Sequence, residues 1–171
     1  MKADGTKGYA ARETYDTEDT YKLYLVPINE EPSTPDVPDD EAVVKNDKVK
    51  INTATNDVVT VPGATVQDFA NLVGKEVSAK SSNGEVLNSD SRLSTGCVID
   101  DKYTVAVLGD VNGDGETTAL DAAIVLRYTV NQYEMTDSQK KAGDFASHKN
   151  PTALDAAKIL RYTVGQYNIN I

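Results

Sequence analysis

The sequence predicts an α+β chain: a small β-rich module with one helix, followed by an all-α C-terminal part built of two loop–helix halves. Three observations carry this. Between residues 42 and 107, short runs rich in β-branched residues are separated by turn signals, with one helical pattern among them. From Leu108 onward the period becomes helical. Finally, Thr118–Tyr133 recurs as Thr152–Tyr167 with 13 identities in 16 positions, the differences being Ile124/Lys158, Val125/Ile159 and Asn131/Gly165.

Residues 1–41 read as an upstream tail and a linker. YKLYLVPI, Tyr21 to Ile28, forms one strand, which cannot bury its own face and must pair with something or stay loose. It reads as the end of a domain lying further upstream. EEPSTPDVPDDE, residues 30–41, holds three of the six prolines and six acids, which makes it extended and self-repelling.

Residues 42–107 read as the α+β module. VKINTA (Val49 to Ala54) and VVTVP (Val58 to Pro62) are strands. Thr65 caps a short helix with Val66, Phe69, Ala70 and Val73 on one face, and Gly74 ends it. EVSAK is a strand, and SSNGE carries the Asn83-Gly84 hairpin signal. Two further strands, CVI and YTVAVL, bracket Asp100-Asp101-Lys102. The segment contains no phosphate loop, no paired acids in a helical or strand frame and no Ser/His or Cys/His set, so it reads as a structural or spacer module. In residues 108–171, MTDSQKKAGD lies between the two copies, and Thr136 with Gln139 three later starts a linker helix through a capping box.

Composition narrows the function classes. The hydrophobic fraction is 39% and the net charge −10. Such a chain suits small modules better than one large core, and it repels phosphate backbones and anionic lipid. Cys97 is the single cysteine, so an internal disulfide is impossible; it reads as a small buried apolar residue, and the one histidine, His148, lies in a different segment. No apolar run approaches the roughly 18 residues needed to span a bilayer. The first residues have no apolar core of a signal peptide, so the sequence is expected to be either cytosolic or a fragment of a longer secreted chain.

The loop before the first helix carries the chemistry. Counting Asp110 as position 1, Asn112 falls at 3, Asp114 at 5, Gly115 at 6, Glu116 at 7, Thr118 at 9 and Asp121 at 12. This is the spacing of an EF-hand calcium loop, in which odd positions supply oxygens and the glycine permits the turn that brings the later ligands back. Position 7 contributes its backbone carbonyl. Asp121 stands where the common loop has Glu, one methylene longer.

LGDVNGDG, the Asp at position 12, a helix carrying LRY and a second related copy resemble a dockerin domain of the cellulosome or amylosome type over about residues 108–168. The segment ending STGCVIDDKYTVAVLGDVNGDG resembles the small X-type module found ahead of such domains. The resemblance implies a non-catalytic module, folded on Ca2+ as two EF-hand-like loop–helix halves, that binds a cohesin module and attaches its parent protein to a multi-enzyme scaffold or cell surface. It implies contacts at Ala119, Leu120, Leu126, Arg127 and Tyr128 in the first half and at Ala153, Leu154, Leu160, Arg161 and Tyr162 in the second. All five pairs are identical, so two binding modes related by a half-turn are permitted. Leu126, Leu160 and the two tyrosines fit a core position as well as a contact. Arg127 and Arg161 are the best contact candidates, because a long cation is rarely buried without a partner. Secretion follows from the same resemblance, and the free chain is expected to be a monomer.

The second loop keeps its length and loses its ligands. Counting from Asp144, position 3 is Ala146, 5 is His148, 6 is Lys149, 8 is Pro151 and 12 is Asp155. Ala146 offers no oxygen, and a histidine nitrogen suits calcium poorly. Asp144 and Asp155 remain, with Thr152 and backbone carbonyls. One calcium is expected, at Asp110, Asn112, Asp114, Glu116 and Asp121, and the second site is weak or absent. The Lys149 ammonium is expected near Asp144 or Asp155 in the place of the ion. Three other readings stand beside this one: a calcium sensor exposing a Met-rich groove, a calcium-stabilised structural surface module, and a module hanging from an enzyme upstream.

Overall fold

The computed structural model describes residues 9–14, 22–27, 43–145 and 150–171. The chain divides into two units, Met1–Asp40 and Glu41–Ile171. In the first, β1 (Tyr9–Thr14) pairs antiparallel with β2 (Lys22–Pro27), Tyr9 opposite Pro27 and Thr14 opposite Lys22. The strand expected in YKLYLVPI therefore has its partner in YAARET, a run whose Ala-Ala-Arg-Glu centre gives little strand signal. The Pro-rich stretch 30–41 lies outside the described residues.

In the second unit, seven short strands form one mixed sheet: β3 (Val43–Lys45), β4 (Val49–Asn52), β5 (Asp57–Thr60), β6 (Ala79–Lys80), β7 (Val86–Leu87), β8 (Val98–Ile99) and β9 (Tyr103–Val107). Their spatial order is β3-β4-β5-β9-β8-β6-β7, all neighbours antiparallel except β5 and β9. The expected strands are present, some shorter than read: EVSAK pairs only at Ala79–Lys80. β3 was not legible, three residues being too few for a pattern.

α1 (Val66–Val73) covers the sheet, and its ends are those the sequence predicts. The Thr65 hydroxyl accepts from Asp68 N while the Asp68 carboxylate accepts from Thr65 N, and Gly74 closes the helix in the left-handed conformation. Val66 and Phe69 point inward. The Phe69 ring is wholly buried and packs 5.7 Å, centroid to centroid, from Tyr103. Val49, Ile51, Val58, Leu93, Ile99 and Val105 complete this core. Cys97 belongs to it as well, buried and free.

β9 runs without a spacer into the C-terminal part. There α2 (Ala119–Thr129), α3 (Asp137–Gly143) and α4 (Ala153–Thr163) follow, each opened by a threonine capping box at Thr118, Thr136 and Thr152. α2 and α4 have the same bounds at an offset of 34 residues and pack on one another through Ala122, Val125, Ala156 and Ile159. The Asn131/Gly165 difference is a physical synonym. Both residues follow the helix end with positive φ, 57° and 70°, where Asn and Gly are the least strained choices. α3 ties this part to the sheet: Gly109 N donates to Ala142 O at 2.8 Å, and Lys141 pairs with Asp57.

Candidate functional site

The first loop folds around two wholly buried carboxylates, Asp110 and Asp121. Asp110 Oδ1 accepts from Gly113 N at 2.9 Å, and its Oδ2 accepts from Gly115 N at 3.2 Å and Thr95 N at 2.9 Å. Asn112 Oδ1 accepts from Asp114 N, and Asp114 Oδ1 from Glu116 N, each at 2.9 Å. These successive Asx turns wind the chain. Asp121 closes the loop and starts the helix at once. Its Oδ1 accepts from Val111 N and Asn112 N at 2.8 and 2.9 Å; its Oδ2 accepts from Thr118 N and Oγ1 at 2.8 and 3.1 Å. An aspartate at position 12 is thus short enough to double as the third residue of the α2 capping box.

The electrostatics call for a cation. Among the described residues, no lysine or arginine forms an ion pair with Asp110 or Asp121. Burial, reinforced by the nearby Asp121 charge, pushes the Asp110 carboxyl up to about 6 against the pull of its three amide donors. Also among the described residues, no three Asp, Glu, His or Cys side chains converge on one point; Asp114 and Glu116 face solvent. The donor set is nonetheless oxygen only, and two buried negative charges fit a hard divalent ion. Asp110, Asn112, Asp114, Asp121 and the Glu116 carbonyl are the residues that would hold it, and calcium bound there would neutralise the pair and draw the loop closed.

The sign of the pH dependence follows. A carboxyl raised from 3.8 to about 6 stabilises the metal-free fold most when protonated, so this contribution is lost as pH rises from about 4 to about 6. In EDTA, the melting temperature is expected to be about 3–6 °C higher at pH 5 than at pH 7. Scanning calorimetry of the native chain and of Asp110→Asn, which cannot titrate there, checks this; equal slopes for both would refute it.

The second loop is differently balanced. Asp155 is equally buried, and its Oδ1 accepts from Phe145 N at 3.2 Å while its Oδ2 accepts from Thr152 N and Oγ1 at 2.9 and 2.6 Å. Here a cation is present. Lys158 Nζ stands 3.6 Å from Asp155 Oδ1 and 5.9 Å over the Phe145 ring. Burial alone would raise the Asp155 carboxyl, but the Thr152 and Phe145 hydrogen bonds and the Lys158 charge together hold it below the usual range. Sequence reasoning looked for the substitute cation at Lys149, which with Ala146 and His148 lies outside the described residues. The signal for Lys158 was the Ile124/Lys158 difference in an otherwise repeated helix. Pro151 is buried and packs against Gly143, and Asp144 ends α3 in extended backbone.

The residues expected to meet a partner lie mainly outside. Leu120 and Leu154 are 59% and 63% exposed, and Leu126 and Leu160 are 43% and 42% exposed, so the leucines that fitted either core or contact are not core. Ala119, Ala153, Arg127 and Arg161 are exposed too. Tyr128 is half-buried against the α2–α4 core and donates its hydroxyl to Asn150 Oδ1 at 2.9 Å. Tyr162 instead borders a cleft with Pro62, Gly63, Arg92 and Gly115–Thr118. Val130 and Val164, exposed at the helix ends, extend each apolar face. Sequence reasoning missed them, although 120, 123, 127 and 130 share one helical face.

Residues 108–163 match the family model of the dockerin type I domain. This segment is a dockerin domain. No curated protein and no solved structure matches the chain. Dockerin domains are in general non-catalytic calcium-binding modules that attach to cohesin modules in extracellular cellulosome components. The mixed sheet ahead of the dockerin makes the fold α+β, as expected. Among the described residues, no helix is long and apolar enough to cross a membrane.

Proposed function

We propose that the chain is a non-catalytic, calcium-dependent attachment unit. Its dockerin seats on a cohesin module and ties the parent protein to a secreted multi-enzyme scaffold or a cell surface. The observation that carries this reading is the pair of matched exposed faces, Leu120, Leu126, Arg127 and Val130 on α2 against Leu154, Leu160, Arg161 and Val164 on α4. Repeated apolar surface rimmed by arginine is what an anchor-type interface uses, and it has no reason to be duplicated in a freestanding fold. One calcium ion, held by Asp110, Asn112, Asp114, the Glu116 carbonyl and Asp121, orders the first half. The second half, with Lys158 beside Asp155, needs none, and the two halves are EF-hand-like in this sense. The sheet module, residues 42–107, supports the dockerin, residues 108–171.

A sensor would open to expose methionines; Met135 is instead buried in the dockerin core. The test is a calorimetric calcium titration of the EDTA-stripped chain, followed by titration with a panel of type I cohesin modules in calcium and in EDTA. One ion per chain and calcium-dependent cohesin binding are expected. Two ions would refute the one-site assignment, no ion would remove the calcium reading, and calcium uptake without any cohesin binding would favour the structural surface module.

A further inference from the structure

The turn Ser94–Cys97, which leads into β8, carries a hydrogen bond from the sheet module to the calcium loop. This turn is fixed from three sides. Cys97 is sunk in the sheet core, and its N donates to Ser94 O at 3.1 Å; Gly96 N donates to Val105 O at 2.9 Å. The Thr95 hydroxyl accepts from Val107 N at 2.9 Å, so it grips β9 three residues before the loop begins. Thr95 itself is 5% exposed. From this fixed position its N–H donates to Asp110 Oδ2 at 2.9 Å. Its carbonyl lies so close to Gly113 that a Cβ added there would stand 2.7 Å from the oxygen. The neighbouring Gly115 has the same left-handed backbone, φ 86° against 79°, but a Cβ there would meet only the Ser94 Cβ, at 3.7 Å. One residue of the sheet module thus holds the first carboxylate of the loop with its N–H and packs the fourth loop residue with its carbonyl.

We infer that Thr95 is a positioning residue for the calcium site and that the sheet module and the ion are energetically coupled through it. The inference rests on the proposed ligation by Asp110. A second hydrogen-bonded partner that orients a ligand carboxylate raises affinity by removing its freedom to turn away. Coupling of this kind is reciprocal: calcium tightens the Ser94–Cys97 turn by the factor by which the turn tightens calcium. Sequence inspection does not reveal this role, because every residue but proline carries the N–H in question.

The experiment uses the full chain labelled with 15N. Amide hydrogen exchange is followed in EDTA and in saturating calcium chloride, at Thr95 and at the loop amides of Gly113 and Gly115. Calcium is expected to slow exchange at Thr95 at least tenfold together with the loop amides. Protection of the loop with Thr95 unchanged would overturn the inference and leave the calcium site standing. No change at either place would overturn the calcium site and the inference with it. By calorimetry, Thr95→Pro, which lacks the N–H, is expected to bind calcium at least tenfold more weakly, and Thr95→Ser to stay within about twofold of the native chain. Should the proline variant fail to fold, Gly113→Ala and Gly115→Ala impose the same backbone strain, and only the first meets the Thr95 carbonyl. A loss at least fivefold greater for Gly113→Ala is expected; equal losses would overturn the inference.

Discussion

Replacing Asp121 by alanine is expected to abolish calcium binding measurable by calorimetry and to lower the stability of the metal-free chain by about 4 kcal/mol, or about 10 °C in melting temperature. The reason is the number of groups that converge on one buried carboxylate. Val111 N, Asn112 N, Thr118 N and the Thr118 hydroxyl all donate to it, and alanine leaves them without an acceptor in a place water reaches poorly. Its counterpart Asp155 holds Phe145 N, Thr152 N and the Thr152 hydroxyl. Asp155→Ala is therefore expected to destabilise the chain by a similar amount, enlarged by the stranded Lys158 ammonium, yet to leave the calcium affinity within about threefold of the native value. The pair of variants separates a ligand from a cap. If Asp155→Ala costs calcium binding as much as Asp121→Ala does, the two loops are not metal-bearing and metal-free, and the one-site assignment is wrong.

The second large effect concerns the partner face. If both orientations that the repeated faces permit are used, the association constants add. Alanine at Leu126 and Arg127 alone, or at Leu160 and Arg161 alone, is then expected to weaken cohesin binding only about twofold, near 0.4 kcal/mol. Alanine at all four positions is expected to weaken it at least 1,000-fold, since exposed leucine and arginine anchors carry most of such an interface. Isothermal titration of the three variants against one cohesin gives the answer. A large loss from either pair alone would mean a single orientation and would assign it to that half. All four side chains are exposed, so the fold is not expected to suffer, and unchanged melting in calcium is the control.

The parts of this protein that were legible in its sequence are those decided by local chemistry. Thr65 and Gly74 mark the ends of α1 because a cap and a left-handed residue act within one turn. The spacing from Asp110 to Asp121 was readable for the same reason: a loop wound by successive Asx turns is a short-range object. Leu126 and Leu160 could not be assigned from spacing, since their position next to the buried Ala122/Val125 and Ala156/Ile159 seams decides their exposure. The substitute cation was sought at Lys149, inside the degraded loop, whereas Lys158 reaches Asp155 from the next turn of the helix. The Thr95 contact was illegible altogether, as it joins a backbone N–H to a carboxylate 15 residues away.

The absence of any spacer between β9 and the first loop has a geometric consequence. The parallel ladder of β5 and β9 is prolonged by Leu108 N donating to Thr60 O at 2.8 Å, and Asp110 follows two residues later. Sheet and helices therefore belong to one compact unit and act as a single lever. Two docking orientations related by a half-turn would swing that lever to opposite sides of the scaffold, so that the choice of face becomes a choice of where the rest of the chain is presented.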